Sequence, residues 1–124
     1  MDVGADPAAG LLGRDYWLIV SRPTQGTSRE DIGAVVPAHL RWLLALEAEG
    51  RVLLSGPLLD GPGVGPGSGV TVLRARDADE ASRIAARDPF VVAGLRAFDV
   101  FQWRLNEGSI SVTVSLGTGR YAWD

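Results

Sequence analysis

The sequence predicts an α+β domain in which a single antiparallel sheet carries helices on one of its faces. Three observations lead there. Short runs rich in β-branched and aromatic residues alternate with helical stretches in the order β-α-β-β-α-β. Each helical stretch has a recognisable start and stop. The whole pattern fits in 124 residues, the size of one domain.

Residues 15–21 (DYWLIVS) form a nearly continuous apolar run, which suits a central strand covered on both faces. The segment 23–27 breaks it, and Ser28 followed by Asp31 gives a weak helix-start signal. Pro37 suits the first turn of a helix. Around it Val36, Leu40, Leu43 and Leu44 fall on one side, with Arg41, Ala45 and Glu49 opposite, and Gly50 supplies the stop.

A second strand follows at 51–55 (RVLLS), ended by Gly56 and Pro57. Residues 58–69 (LLDGPGVGPGSG) are turn chemistry throughout, and the glycine-rich stretch 60–69 is a mobile hairpin loop that can act as a lid. Residues 69–76 alternate as a third strand. Asp77, with Glu80 three positions on, begins a second helix that Pro89 ends. A fourth strand is expected at 98–105 and, after an Asn106-Glu107-Gly108 turn, a fifth at 109–115.

This is the ferredoxin-like βαββαβ arrangement with an extra C-terminal strand. The domain is expected to span 15–105, after a flexible leader at 1–14. The strand and tail at 106–124 are expected to pack on the same domain or on a partner copy. With helices on one face only, the other face leaves apolar side chains bare, Trp17, Ile19, Phe101 and Trp103 being the candidates. At roughly 25 cal/mol per Å² of apolar surface, sheet-to-sheet dimerisation is the natural remedy. The alternative is that the fifth strand and the tail ending Tyr121-Ala122-Trp123 fold back over that face.

Composition narrows the function classes. There is no cysteine, which removes disulfides, thiolate metal sites and cysteine nucleophiles together. A net charge of -3 gives no cationic excess with which to neutralise a phosphate backbone, so nucleic acid is not an expected partner. No long apolar run suggests a membrane span, and the leader lacks the basic, apolar pattern of a signal peptide; a cytoplasmic location is expected. With one His and no Cys, neither a metal nor another cofactor is expected.

The topology gathers the start of the first helix, the end of the second strand and the end of the second helix at one rim of the sheet. His39, Ser55-Gly56-Pro57 and Asp88 occupy those places. His39 lies in the apolar stripe among Val36, Leu43 and Leu46, and Asp88 continues the inward phase of Ala81, Ile84 and Ala85. A buried carboxylate needs a partner, and the lone His is a fitting one. Such a pair fixes a tautomer and leaves a ring nitrogen able to take or give a proton near neutral pH.

Each residue has a plainer reading beside this one. His39 can be a half-buried ring satisfied by a carbonyl, and Asp88 a cap before Pro89. Ser55 is a candidate ligand contact. A Ser-His-Asp nucleophile is disfavoured, because SGP lacks the strand-to-helix elbow that exposes a hydrolase serine. Gly56 and Pro57 line the same strand end. Arg22, just past the first strand, is a candidate for binding a substrate carboxylate and equally a solvated Arg.

The segments PAHLRWL (37–43), EAEGRVLLSGPL (47–58) and ARDPFVVAGL (86–95) resemble the YciI-like, or YCII-related, family across about 16–104. The resemblance implies a dimeric α+β barrel with a His-Asp pair as its proposed active site, carried here onto His39 and Asp88. It implies a small-molecule enzyme, one known activity being removal of chloride from a chlorinated aromatic diol or triol. The expected function is therefore lyase- or isomerase-like proton transfer. The alternative is a non-catalytic dimer that binds a metabolite, or serves as an interaction module, through the same crevice.

Overall fold

The computed structural model describes residues 6–124. The chain divides into two compact units, 15–104 and a second made of both chain ends.

In the larger unit β1 (Arg14–Pro23), β2 (Val52–Pro57), β3 (Gly69–Leu73) and β4 (Arg96–Leu105) form one sheet in the order β2-β3-β1-β4. Three helices accompany it: α1 (Arg29–Ala48), α2 (Ala78–Ala85) and the short α3 (Pro89–Val92). The chain folds as the ferredoxin-like α+β arrangement. β3 pairs antiparallel with β1, from Trp17 opposite Leu73 to Ser21 opposite Gly69, and antiparallel with β2 on its other side. Arg22 reaches Asp99 and Arg104 reaches Asp15, the crossed order expected of antiparallel neighbours β1 and β4.

The helix starts follow their local chemistry. At α1 the Ser28 hydroxyl accepts from the Asp31 amide and the Asp31 carboxylate accepts from the Ser28 amide, both at 3.0 Å. This reciprocal cap satisfies two otherwise orphaned donors. It outranks Pro37, which lies inside the helix instead of opening it. Pro37 has no amide proton to give the Gly33 carbonyl, a loss that the capped N-terminal turns tolerate. Gly50, with φ of 76°, ends the helix as expected.

The second helical stretch breaks in two. Asp77 caps α2 through the Glu80 amide, and Pro89 does more than terminate it. Its fixed φ also opens α3, whose N-cap is Asp88.

Strand alternation sorts the two faces. Trp17 and Ile19 turn toward the helices, where Ile19, Leu73, Ala81 and Ala85 are buried and Phe98 and Val100 pack on them. The Trp17 indole donates to the Ala75 carbonyl at 3.1 Å. Trp17 and Ile19 therefore do not belong to the bare face, whereas Phe101, 52 % exposed, does. Helix α1 is also rotated from its expected phase: Leu40 and Leu44 are exposed, and Trp42 turns inward with Leu43.

In the smaller unit Asp6 caps a 3-10 turn at Pro7–Gly10, and the Leu12 amide donates to the Asn106 carbonyl at 2.9 Å. The expected turn at 106–108 does not fold β4 back on a fifth strand. Instead β5 (Val112–Ser115) pairs with β6 (Arg120–Trp123) in a separate antiparallel hairpin, Val112 opposite Trp123 and Ser115 opposite Arg120. Gly119, with φ of 67°, closes the connection. Among the described residues no helix is long and apolar enough to cross a membrane.

Candidate active site

Where α1, the end of β2 and the start of β4 meet, the larger unit opens a crevice of about 390 Å³. Its walls are mostly apolar, including Ile32, Val36, Leu43 and Phe90. Polar groups enter from His39, Ser55, Ser68, Thr71 and Arg96.

Its chemistry converges on Asp88, which α3 presents at its N-cap. Oδ1 accepts from the Phe90 amide at 3.0 Å and lies 2.8 Å from His39 Nδ1. Oδ2 accepts from Arg96 Nη1 at 2.9 Å. The capping and pairing readings of Asp88 are thus both met, by one carboxylate. Burial pushes this carboxyl up, but the hydrogen bonds from His39 and from the Phe90 amide, with the charges of His39 and Arg96, outweigh it. The group is left below its ordinary value of 3.8.

An ionised carboxylate only accepts hydrogen bonds, so His39 Nδ1 carries the proton between them. In the neutral ring the lone pair then sits on Nε2. No buried side-chain nitrogen or oxygen among the described residues lacks a partner. Since Nδ1 makes the ring's bond to the protein, Nε2 is left open to the crevice. The Phe90 ring lies with its centroid 4.5 Å from that of His39, and the Arg96 guanidinium stands 4.9 Å from the Phe90 centroid on its own account.

Ser55, Gly56 and Pro57 line the crevice from β2, as expected of that strand end. The Ser55 hydroxyl pairs with Thr71 Oγ1 at 3.1 Å across the β2–β3 ladder. Its partner is thus on a neighbouring strand and is not His39, and no nucleophilic triad is assembled. A Cβ built on Gly56 would meet no protein atom within 4 Å, and parity with Leu54 turns it toward the opposite face of the sheet.

Arg22 is not brought to the site. Trp17, Ile19 and Ser21 face the helices, so strand parity turns Arg22 to the opposite face, where its guanidinium is held by the Asp99 carboxylate. The cation at the crevice is Arg96, which the expected strand start at Phe98 left outside β4. Its signal is parity with Phe98 and Val100, the core-facing residues of the same strand. Among the described residues no three His, Asp or Glu side chains are grouped to hold a metal ion.

The glycine-rich loop 58–68, expected to be mobile, is internally bonded. The Leu58 amide donates to the Ser68 carbonyl at 2.9 Å and the Val64 amide to Gly61 at 3.2 Å. Gly67 and Ser68 reach the crevice as part of its roof.

The chain is similar to known proteins in sequence and in fold. A solved structure of 5-chloro-2-hydroxyhydroquinone dehydrochlorinase (TftG) from Burkholderia phenoliruptrix AC1100, in complex with 2,5-dihydroxybenzoquinone, superposes with a TM-score of 0.59 at 28% identity. The match covers 71% of this chain and 92% of that one. The uncharacterized protein YjpA of Bacillus subtilis (strain 168) is 28% identical over 91 residues, 73% of this chain and 96% of YjpA. The model of the YCII-related domain matches residues 16–104. The chain belongs to the YCII-related domain family.

Proposed function

We propose that the protein is a small-molecule enzyme in which His39 transfers a proton at Nε2 and Asp88 holds the ring, catalysing a lyase-like elimination or an isomerisation. The observation that carries this reading is the 2.8 Å contact between His39 Nδ1 and Asp88 Oδ1 at the wall of a mostly apolar crevice. A carboxylate behind the ring fixes its tautomer and stabilises the imidazolium formed when a proton is taken. The crevice surrounds a compact ligand with apolar contacts and offers hydroxyls at Ser55, Ser68 and Thr71. A dehydrochlorinase as structural relative, bound to a hydroxylated quinone, supports a hydroxylated ring as the substrate class.

The working unit of this reading is a homodimer formed through the sheet face opposite the helices. Leu18, Leu54, Val72 and Trp103 line an open apolar concavity there, next to exposed Phe101. A second copy laid on that face removes its apolar surface from water.

The test is a turnover screen of hydroxylated and halogenated aromatic compounds with wild type and His39→Ala. General acid-base catalysis supplies about 10²–10⁴-fold, so the variant is expected to lose at least about 100-fold while staying folded. Ligand binding that survives the substitution, with no turnover by either protein, would favour a metabolite-binding module.

A further inference from the structure

Arg96 is nearly buried, its side chain 8% exposed against 7% for Asp88. Both ends of its planar fork are engaged. Nη1 donates to Asp88 Oδ2, while Nε and Nη2 donate to the Gly67 carbonyl at 2.9 and 2.5 Å. One rigid group therefore ties the carboxylate behind His39 to the backbone of the glycine-rich roof.

The surroundings are cut to this fork. Gly67 turns its carbonyl toward Arg96 with φ of +85°, a conformation that side-chain-bearing residues rarely adopt. A Cβ on Gly69 would lie 2.8 Å from Arg96 Nη2, so the strand start also has to be glycine. Arg96 closes its charge balance with Asp88 alone, and its remaining polar contact is the loop.

We propose that Arg96 is a positioning residue that couples the two features, so that the roof of the crevice and the orientation of the His39 ring tighten or loosen together. A ligand that seats beneath the loop then also steadies the Asp88 carboxylate, and loss of the Gly67 contact frees both. Only the catalytic consequence rests on His39 being the proton carrier; the coupling itself does not.

The chain has a single histidine, which makes the ring directly readable by ¹⁵N NMR in the full-length protein. Amide exchange over 58–68 reads the roof. In Arg96→Met, which keeps apolar bulk and removes every donor, roof amides are expected to exchange about 10-fold faster or more. The His39 nitrogens are expected to leave the single Nδ1–H form for a mixture. In Arg96→Lys, whose ammonium can hold Asp88 but cannot fork to Gly67 as well, the roof loosens and the ring signature moves part of the way toward the mixture with it; a loosened roof beside an unchanged ring overturns the coupling.

If Arg96→Met fails to fold, Arg96→Lys still carries the test. Roof exchange unchanged in either variant overturns the coupling. So does an increase spread equally over β1 and β3, which marks a merely structural Arg. If proton transfer by His39 is wrong, His39→Ala retains turnover while these two readouts stand; if the coupling is wrong, His39→Ala still loses turnover.

Discussion

His39 and Asp88 lie 49 positions apart in the chain, and Nδ1 of one is 2.8 Å from Oδ1 of the other. That contact closes a long loop, and it is bought by three donors converging on one carboxylate: the imidazole, the Phe90 amide and the Arg96 guanidinium. The arrangement keeps Asp88 ionised despite its burial.

Stability should therefore follow Asp88 into acid. Its folded value lies below the ordinary 3.8, so its contribution is complete above that value and is lost as pH falls through the folded one. Denaturant unfolding from neutral pH to about pH 2 should show wild type losing stability below about pH 4. Asp88→Asn should flatten part of this limb, because Asp15, Asp31 and Glu80 are also held low and continue to titrate. At neutral pH the same variant leaves Arg96 buried without its anion, a loss of about 3–5 kcal/mol.

Ser55 contributes to the crevice and little to the fold. Ser55→Ala removes an exposed hydrogen bond to Thr71, so the unfolding free energy should change by less than about 1 kcal/mol. Isothermal titration with a hydroxylated aromatic ligand should instead show weaker binding. Unchanged affinity would remove Ser55 from the ligand contacts.

Gly67→Ala places a side chain at φ of +85° with its Cβ 2.5 Å from Ile32 Cδ1. The Ile32 tip can move, whereas the left-handed backbone costs about 1–2 kcal/mol. Thermal unfolding should register that loss, whereas Gly56→Ala, whose Cβ meets nothing, should leave stability within about 0.5 kcal/mol.

Trp103→Glu sets a charge on the sheet face proposed to meet a second copy. Sedimentation velocity at micromolar concentration should find wild type as a dimer and the variant as a monomer. A monomeric wild type would remove the dimer from the account.

Local signals made most of the larger unit legible. The Ser28–Asp31 cap, the Gly50 stop, the Asp77 cap and the β-branched run of β1 are each decided within a few residues of themselves, which is why they could be read from the chain. Pro37 misled because a rule for isolated helices yields to a well-capped one. The burial of Asp88 was legible only by extending the phase of Ala81 and Ala85, although α2 ends at Ala85 and Pro89 sets Asp88 at the N-cap of α3. Arg96 was not legible, because a charge at a strand end reads as solvated until the strand start and its parity are known. Arg22 failed on parity too, since a nearly continuous apolar run hides which residues face which side. β6 is short and fully exposed, and its existence depends on pairing with β5, which no local pattern announces.

The most direct test of the central claim is rescue by free imidazole. For a hydroxylated aromatic substrate that wild type turns over, His39→Ala is predicted to fall by about 10²–10⁴-fold. Turnover should then climb with added imidazole, which fits the space the ring vacates and restores a nitrogen base beside Asp88. His39→Ala working at the wild-type rate without imidazole would contradict the account.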